Sequence, residues 1–509
     1  MSKRKVALFI TLMTLISKAF GFVREAIIAY FFGTSTEVDA YLMAISIPSI
    51  LFGFLATIAP AYMVLYTEIR EKKDERAADG YTTYLVVLLG IMCLICIVIG
   101  MFFSPQIVQI MAPGYEGYVF SLTINYFRIA VWDTLFLTLL NIYVAFLQCN
   151  DRFSYAAFAM LFHSSMQIVF TIIAGFTGAI FLIYGYVFAD ITYFLVVFIW
   201  SVKQGHKFIF NGNCTDEIKR TLKLAIPMFI SGALTQINAY VDKSFASMLD
   251  TGSISSLYYA NILKTFIIMM LNTGVITILY PILAKLAVQK NFVELKIKLV
   301  ESVRYSLMVF LPATIGVILV AENIVELLFG RGSFGTDSIE ITSKALIMYV
   351  IGMTAIGLRD ILLKYHYAIQ DTKKCMWISA INIGVNIILN FLLIGSMGYR
   401  GLALSTSLAA IITIPLYYPG IKSTVGNIVD SKFFIFIAKL IISCIIMTMV
   451  ILSVKKYIFL NNYQYIIIVV ILGTVSYGSA LVFLKVEEAE NSLSNIKCII
   501  KNFKQHWRK

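Results

Sequence analysis

Apolar runs of eighteen residues or more recur along the whole chain, and they constrain its fold more than any other feature. A run of that length crosses the hydrocarbon core of a bilayer as one α-helix. Inside that core each backbone amide must be satisfied within the element itself, which leaves only helices and closed barrels. The short alternating segments of a barrel do not occur. Of 509 residues, 60% are hydrophobic and 14% charged, which is about half the charged share of a soluble domain. The chain therefore reads as an all-α polytopic membrane protein with about fourteen transmembrane helices.

The helices are expected near 6–31, 38–66, 81–103, 119–147, 154–176 and 178–201, then 222–248, 254–285, 304–321, 340–365, 376–396 and 400–418. Two more are expected near 433–453 and 463–485. Pro48 and Pro60 interrupt the second, a break that membrane helices tolerate where they line a cavity. The ending KNFKQHWRK is basic and amphipathic and is expected on the membrane surface.

A formal charge of +13 raises nucleic acid as a partner, but the loops give a simpler reading. EIREKKDER, NDRF, KQGHKF, EIKRTLK, KLAVQKNFVELKIK and QDTKK all follow even-numbered helices. FFGTSTEV, APGYEGY, FTG and LDTGS follow odd-numbered ones and hold no basic residue. Arg331, Arg400, Lys455 and Lys456 are the exceptions. The positive-inside rule then puts both termini in the cytoplasm, with no nucleic acid involved. After MSKRK the first apolar run is too long for a cleavable signal and lacks a cleavage site.

Nothing in the sequence points to catalysis. No nucleophile–base pair, Walker loop or HExxH occurs, and the expected outer loops are too short to hold a substrate for an enzyme. Cys93 and Cys96 form a CxxC within the apolar LGIMCLICIVIG and no second ligand pair follows, so no metal site is expected.

The chain repeats itself at an offset of about 217–220 residues. PQIVQIMAPGYEGYVFSLTINYFRI (105–129) matches ENIVELLFGRGSFGTDSIEITSKAL (322–346). LQCNDRF (147–153) falls on AIQDTKK (368–374), and FFGTSTEVDAY (31–41) falls less cleanly on LDTGSISSLYY (249–259). Each unit holds six helices, so the two keep one orientation, the parallel arrangement from which rocking transporters are built. The expected division is an N-lobe at 1–201, a cytoplasmic linker at 202–221 and a C-lobe at 222–418. The last part, 419–509, holds two additional helices and a basic tail.

Charge within these helices marks function, because each such residue costs roughly 2.5–3.5 kcal/mol on insertion scales. Arg24, Glu25 and Asp39 sit close together in GFVREAIIAYFFGTSTEVDAYLMA. Arg24 reads as an anion contact, as the structural partner of Glu25 or Asp39, or as a side chain snorkelling to the interface. Lys18 lies deeper, where it lines a cavity. Asp39 is a cavity acid or a helix N-cap. Asn238, Asp242 and Lys243 read as a gating or ion-coupling group or a local ion pair. Arg128 and Asp133 are five residues apart and should meet other helices, with a gating or ion-coupling role, as for Glu25, as the alternative. Arg359, Asp360 and Lys364 gate a mouth or anchor at the interface. His163, alone on an apolar helix, reads as structural.

Several segments carry a family resemblance. SKAFGFVREAIIAYFFGTSTEVDAY, NDRFSYAAFA (150–159), QINAYVDKSFAS (236–247) and SLYYANILK (256–264) resemble the MurJ/MviN lipid II flippases of the MOP exporter superfamily. So do LFGRGSFGTDSIEITSKAL (328–346) and GLRDILLKYHYAIQDTKK (357–374). The likeness runs in order from about residue 10 to 420, with two further helices beyond. It implies two six-helix lobes around a cationic cavity and a lipid-facing groove on the extra helices. It also implies a flippase of the bacterial cytoplasmic membrane. Such a protein moves an undecaprenyl-pyrophosphate-linked peptidoglycan precursor to the outer leaflet for cell wall biosynthesis. Membrane lipids and cell-wall synthesis proteins are the further partners it implies.

By resemblance the cargo-binding residues are Lys18, Arg24, Asp39, Asn261 and Lys264. Lys18 stands where the family often has arginine. Phe52 and Gly53 stand where a paired arginine is typical, Ile262 replaces another, and Thr57 replaces an acid. These departures keep a second cargo open, another lipid-linked oligosaccharide for exopolysaccharide, capsule or teichoic-type polymers. A cation-coupled drug antiporter would need an apolar, acidic cavity, against Lys18 and Arg24. No cofactor is expected. The drive is the membrane potential, about 2.3 kcal/mol per charge per 100 mV, or a monovalent cation.

Overall fold

The computed structural model describes residues 3–210, 215–457 and 461–490; side chains at 3–8, 10, 11, 227, 228, 230–235 and 273–278 are not described. The basic ending KNFKQHWRK, with its expected amphipathic character, lies outside the described residues. The described chain is all helix. In order come α1 (Lys3–Phe32), α2 (Thr36–Phe52), α3 (Ala59–Lys72), α4 (Glu75–Phe102), α5 (Ser104–Met111), α6 (Gly117–Ala130), α7 (Asp133–Cys149), α8 (Phe153–Thr177) and α9 (Ile180–Lys203). Then follow α10 (Thr215–Ser247), α11 (Ser253–Val288), α12 (Phe292–Phe329), α13 (Thr336–Ile351), α14 (Met353–Ala368) and α15 (Thr372–Met397). The last are α16 (Tyr399–Thr413), α17 (Tyr418–Val425), α18 (Ser431–Tyr457) and α19 (Asn462–Phe483).

Among the described residues, 11 spans are long and apolar enough to cross a membrane, or 12 when α13 and α14 count as one span bent by 42°. α1 and α10, whose side chains are only partly described, are 30 and 33 residues long. Together these account for the fourteen or so expected helices. Two local details differ from expectation. The basic stretch KLAVQKNFVELKIK is not a loop, because α11 runs to Val288 and α12 resumes at Phe292. In the second span the break is a 3₁₀ turn, Gly53–Ile58. Pro60 occupies the first turn of α3, where its missing N–H costs nothing.

The internal repeat is written in the backbone. Phe103, between α4 and α5, has φ −97° and ψ 18°, and Val320 breaks α12 with φ −122° and ψ 19°. Asp151 (φ 58°) and Gln370 (φ 64°) close α7 and α14 in left-handed conformations. Both closures are the same motif: Arg152 N–H bonds Leu147 O and Asp151 N–H bonds Gln148 O, as Asp371 bonds His366 and Gln370 bonds Tyr367. Gly33 and Gly252 share positive φ, as do Gly178 and Gly398. The break between α6 and α7, just before Asp133, corresponds to the break at Gly352. All of these pairs keep an offset of about 217–220 residues. The turn pairing sets LQCNDRF two residues away from its sequence match to AIQDTKK, because helix-closing geometry, not residue likeness, fixes the register.

Contacts divide the chain into two compact units, Met1–Ser256 with Phe329–Ser338, and Leu257–Leu328 with Ile339–Lys509. In the first, α3, α4, α7 and α9 enclose an aromatic core in which Tyr62, Tyr66, Tyr81 and Tyr143 are almost fully buried. α10 belongs to this unit and is tied to it at both ends. At its start Lys73 pairs with Glu217 at 2.8 Å and Arg220 with Glu68 at 2.9 Å. The Lys73 ammonium holds the Glu217 carboxyl below the usual carboxylate range. At its other end Tyr240 donates to Ile110 O at 3.0 Å.

In the second unit α18 and α19 pack on α12, where Tyr477 donates to Met308 O at 2.9 Å. Arg304 pairs with Glu488 at 2.9 Å and lies over the Phe436 ring. Their other faces expose Met449, Ile467 and Val470.

Candidate functional site

The charges of α1 do not share one face. Seven residues make almost two turns of helix, so Ser17 and Arg24 point the same way. Both meet α8. Ser17 Oγ lies 2.7 Å from Ser164 Oγ, and Arg24 donates to Gln167 Oε1. The rest of the Arg24 guanidinium grips Glu25 through Nε and Nη2. Glu25 is buried, and this fork balances its charge. Lys18, about 120° around the helix from Arg24, is exposed. The expectation that Arg24 pairs with Glu25 or Asp39 resolves toward Glu25.

Asp39 is held elsewhere. Its carboxylate accepts from Gly252 N at 2.6 Å and Ser255 N at 2.7 Å, the amides that open α11. It therefore caps a helix, but a distant one, while Ser35 precedes its own. Other contacts gather around it. Ser333 N donates to Tyr30 O at 2.8 Å, Ser333 Oγ to Phe31 O at 2.9 Å, and Thr34 Oγ1 meets Ser338 Oγ at 2.8 Å. Gly332 and Gly33 approach so closely that a Cβ on either would strike backbone across the contact. Gly114 is packed in the same way against Ser247 and Met248. These contacts form a latch that joins the ends of α1, α5 and α10 and the starts of α2, α11 and α13.

Lys243 donates to Leu42 O at 3.3 Å, and Asn238 to Asp242 at 3.5 Å. Both contacts lie on the latch half of α10. Gly53 and Thr57, two positions that depart from the family, line a small cleft with Phe54, Phe229 and Gln236. Gln236 donates to Ser49 O at 3.2 Å. The cleft is mostly apolar.

Arg128 donates to Ser104 at 2.8 Å, whereas Asp133, at the start of α7, accepts from Tyr186 OH at 3.2 Å. The two meet different helices, as their spacing requires. His163 is not alone. Its Nε2 lies 3.1 Å from Asp190 Oδ1, and its ring lies against Tyr193. Sequence reasoning missed Gln167, Asp190 and Tyr186. The available signal was Asp190, a single acid within the apolar IFLIYGYVFADITYFLVVFIW.

In the second unit Asn261 is exposed and Lys264 buried, its ammonium 4.5 Å from the centre of the Tyr349 ring. Arg359 and Asp360 are 3.6 Å apart, and Asn272 donates to Asp360 at 2.8 Å. Lys364 lies over Tyr280. Among the described residues, no group of three His, Cys, Asp or Glu side chains is placed to hold a metal ion.

Comparisons with known proteins agree in direction. A family described as lipid II flippase MurJ matches residues 28–473. The probable lipid II flippase MurJ of Rickettsia prowazekii is 28% identical over 501 residues, which is 95% of this chain and 98% of that protein. Its counterpart from Thermotoga maritima is 26% identical over 502 residues, 97% of this chain and 99% of that protein. A solved lipid II flippase MurJ in an inward closed conformation superposes with a TM-score of 0.81 at 25% identity, covering 94% of this chain and 99% of that one. An inward-facing multidrug resistance MATE transporter of the MOP superfamily shares the fold, with a TM-score of 0.65 at 15% identity over 80% of this chain and 95% of that one.

Proposed function

The chain belongs to the MurJ family of lipid II flippases, and from that membership we propose how it works. It carries the undecaprenyl-pyrophosphate-linked peptidoglycan precursor from the inner to the outer leaflet of the bacterial cytoplasmic membrane. It does so by alternating access, making and breaking no covalent bond. The observation that carries this reading is the match along residues 28–473, through both repeats and into the last helix. The basic loops support an orientation with both termini in the cytoplasm and the latch on the outer side.

Within that cycle, Lys18 and Arg24 receive the pyrophosphate. Lys18 is exposed on α1 and offers a point charge. Arg24 offers a fork, but Glu25 and Gln167 occupy it in this conformation. Cargo must therefore share or displace Glu25, an exchange of one carboxylate for a doubly charged pyrophosphate on a single guanidinium. Asn261 and Lys264 remain proposed cargo contacts of the second unit. Glu25, Asn238, Asp242, Lys243, Arg128, Asp133, Arg359 and Asp360 remain proposed gating or ion-coupling residues. Asp39 acts through the latch, where its carboxylate holds the start of α11.

The test is replacement of the resident lipid II flippase in a strain where that protein can be depleted. Growth should be rescued, and lipid II should become accessible to an external probe. The mostly apolar cleft beside Phe52 favours one second reading, another lipid-linked oligosaccharide. Failure to rescue, with the protein present in the membrane, would select it.

A further inference from the structure

Carrying a preformed lipid-linked sugar makes no use of the titratable group at the centre of the first unit. Asp190 lies near the middle of α9, His163 near the middle of α8, and Asp133 at the break within the span Gly117–Cys149. Asp133 and Asp190 are 5% and 6% exposed. Tyr186 and Asp190 are one turn apart on α9, so the Tyr186 hydroxyl draws Asp133 to the face that carries Asp190. Asp133 Oδ2 accepts from Tyr186, while Oδ1 is buried with no hydrogen-bond partner among the described residues. Asp190 Oδ1 faces His163 at 3.1 Å.

Two ionised carboxylates side by side in a dry helical bundle repel one another and lack solvation. One proton changes both facts. Held on Asp133, it removes one of the two charges and makes that carboxyl a neutral acid, which tolerates burial. A second proton on His163 makes an imidazolium–carboxylate pair and leaves the group neutral. A metal ion fits less well, because among the described residues no three carboxyl, thiol or imidazole groups are placed to hold one. The neighbours on α9 are Tyr186, which donates to Asp133, and Tyr193, whose ring lies against His163. On α8, Gln167, which accepts from Arg24, is one turn from His163. The group thus adjoins the residues that hold Arg24.

We propose that Asp133, Asp190 and His163 form a proton-binding site at mid-membrane, coupled along α8, from His163 to Gln167, to the Arg24–Glu25 pair. The coupling rests on the flippase reading, whereas the proton binding does not. Loading the site favours the paired state of Arg24. Release to water through an opened end leaves two carboxylates whose field competes for the guanidinium and resets α1.

The experiment treats the full chain in lipid vesicles with a hydrophobic carbodiimide, which adds to protonated carboxyls in apolar surroundings. Adducts are then located by peptide mass. Labelling is expected at Asp133 or Asp190, falling about tenfold per pH unit above its midpoint and indifferent to sodium. Asp133→Asn and Asp190→Asn should each lower it at least about tenfold. No adduct at either residue from acid to alkaline pH overturns the site, and protection by sodium replaces the proton with a metal cation. Labelling as expected without lipid II flipping sinks the flippase reading and leaves the site standing. Coupling is overturned if either Asn variant, melting like the parent, flips at the parent's rate with the parent's pH dependence.

Discussion

Arg24 shows how much one side chain is asked to do. Its fork joins Glu25 on the same helix and Gln167 on α8, yet the family reading also needs it for cargo. Arg24→Ala leaves Glu25 buried without its cation, a loss on the order of 3–5 kcal/mol. The variant should melt earlier and cease to flip. Removing Glu25 as well should restore melting but not transport, because the pairing loss is relieved while the cargo contact is not. If the double variant flips, Arg24 is structural only. Arg24→Lys should retain part of the stability and little of the transport, since an ammonium cannot span both partners. Arg24 and Glu25 were readable from sequence as costly charges. Gln167 was not, because its relevance depends on the rotation of α8 against α1.

At the scale of elements, the repeat recurs as backbone events: the breaks at Phe103 and Val320, the turns at Asp151 and Gln370, and the broken spans at Asp133 and Gly352. Sequence likeness detected the duplication but placed one loop two residues out, since exposed turn residues vary while turn geometry persists. Elements also meet through glycines. A Cβ on Gly114 would strike the backbone of Ser247 and Met248, so Gly114→Ala should cost about 1–3 kcal/mol through overpacking. Gly90, within α4 and facing open space, supplies the control. Gly90→Ala should be neutral or should stabilise by up to about 1 kcal/mol. Equal melting of the two variants would mean that the Gly114 approach is not tight in solution.

The whole molecule must open at one end while closing at the other, and the latch supplies a handle on that motion. Thr34 and Ser338 hydroxyls meet at 2.8 Å, so cysteines at both places should bridge on oxidation. The oxidised protein should stop flipping and recover on reduction, with lipid II accessibility outside the cell as the readout. Continued flipping by the bridged form would show that this end need not part.

Hydropathy, loop charge and the repeat offset are local or periodic properties, and each survives in the sequence whatever the helices later touch. They determined the membrane class, the helix count, the duplication and the candidate charges. Tertiary packing alone decided that Asp39 caps α11 rather than lining a cavity by itself. It also decided that His163 faces Asp190, and that Tyr186 draws Asp133 to the same face of α9. Those pairings join helices far apart in the chain, and they depend on how each helix is rotated about its axis and where its backbone breaks. An apolar helix leaves that rotation open until its neighbours are in place.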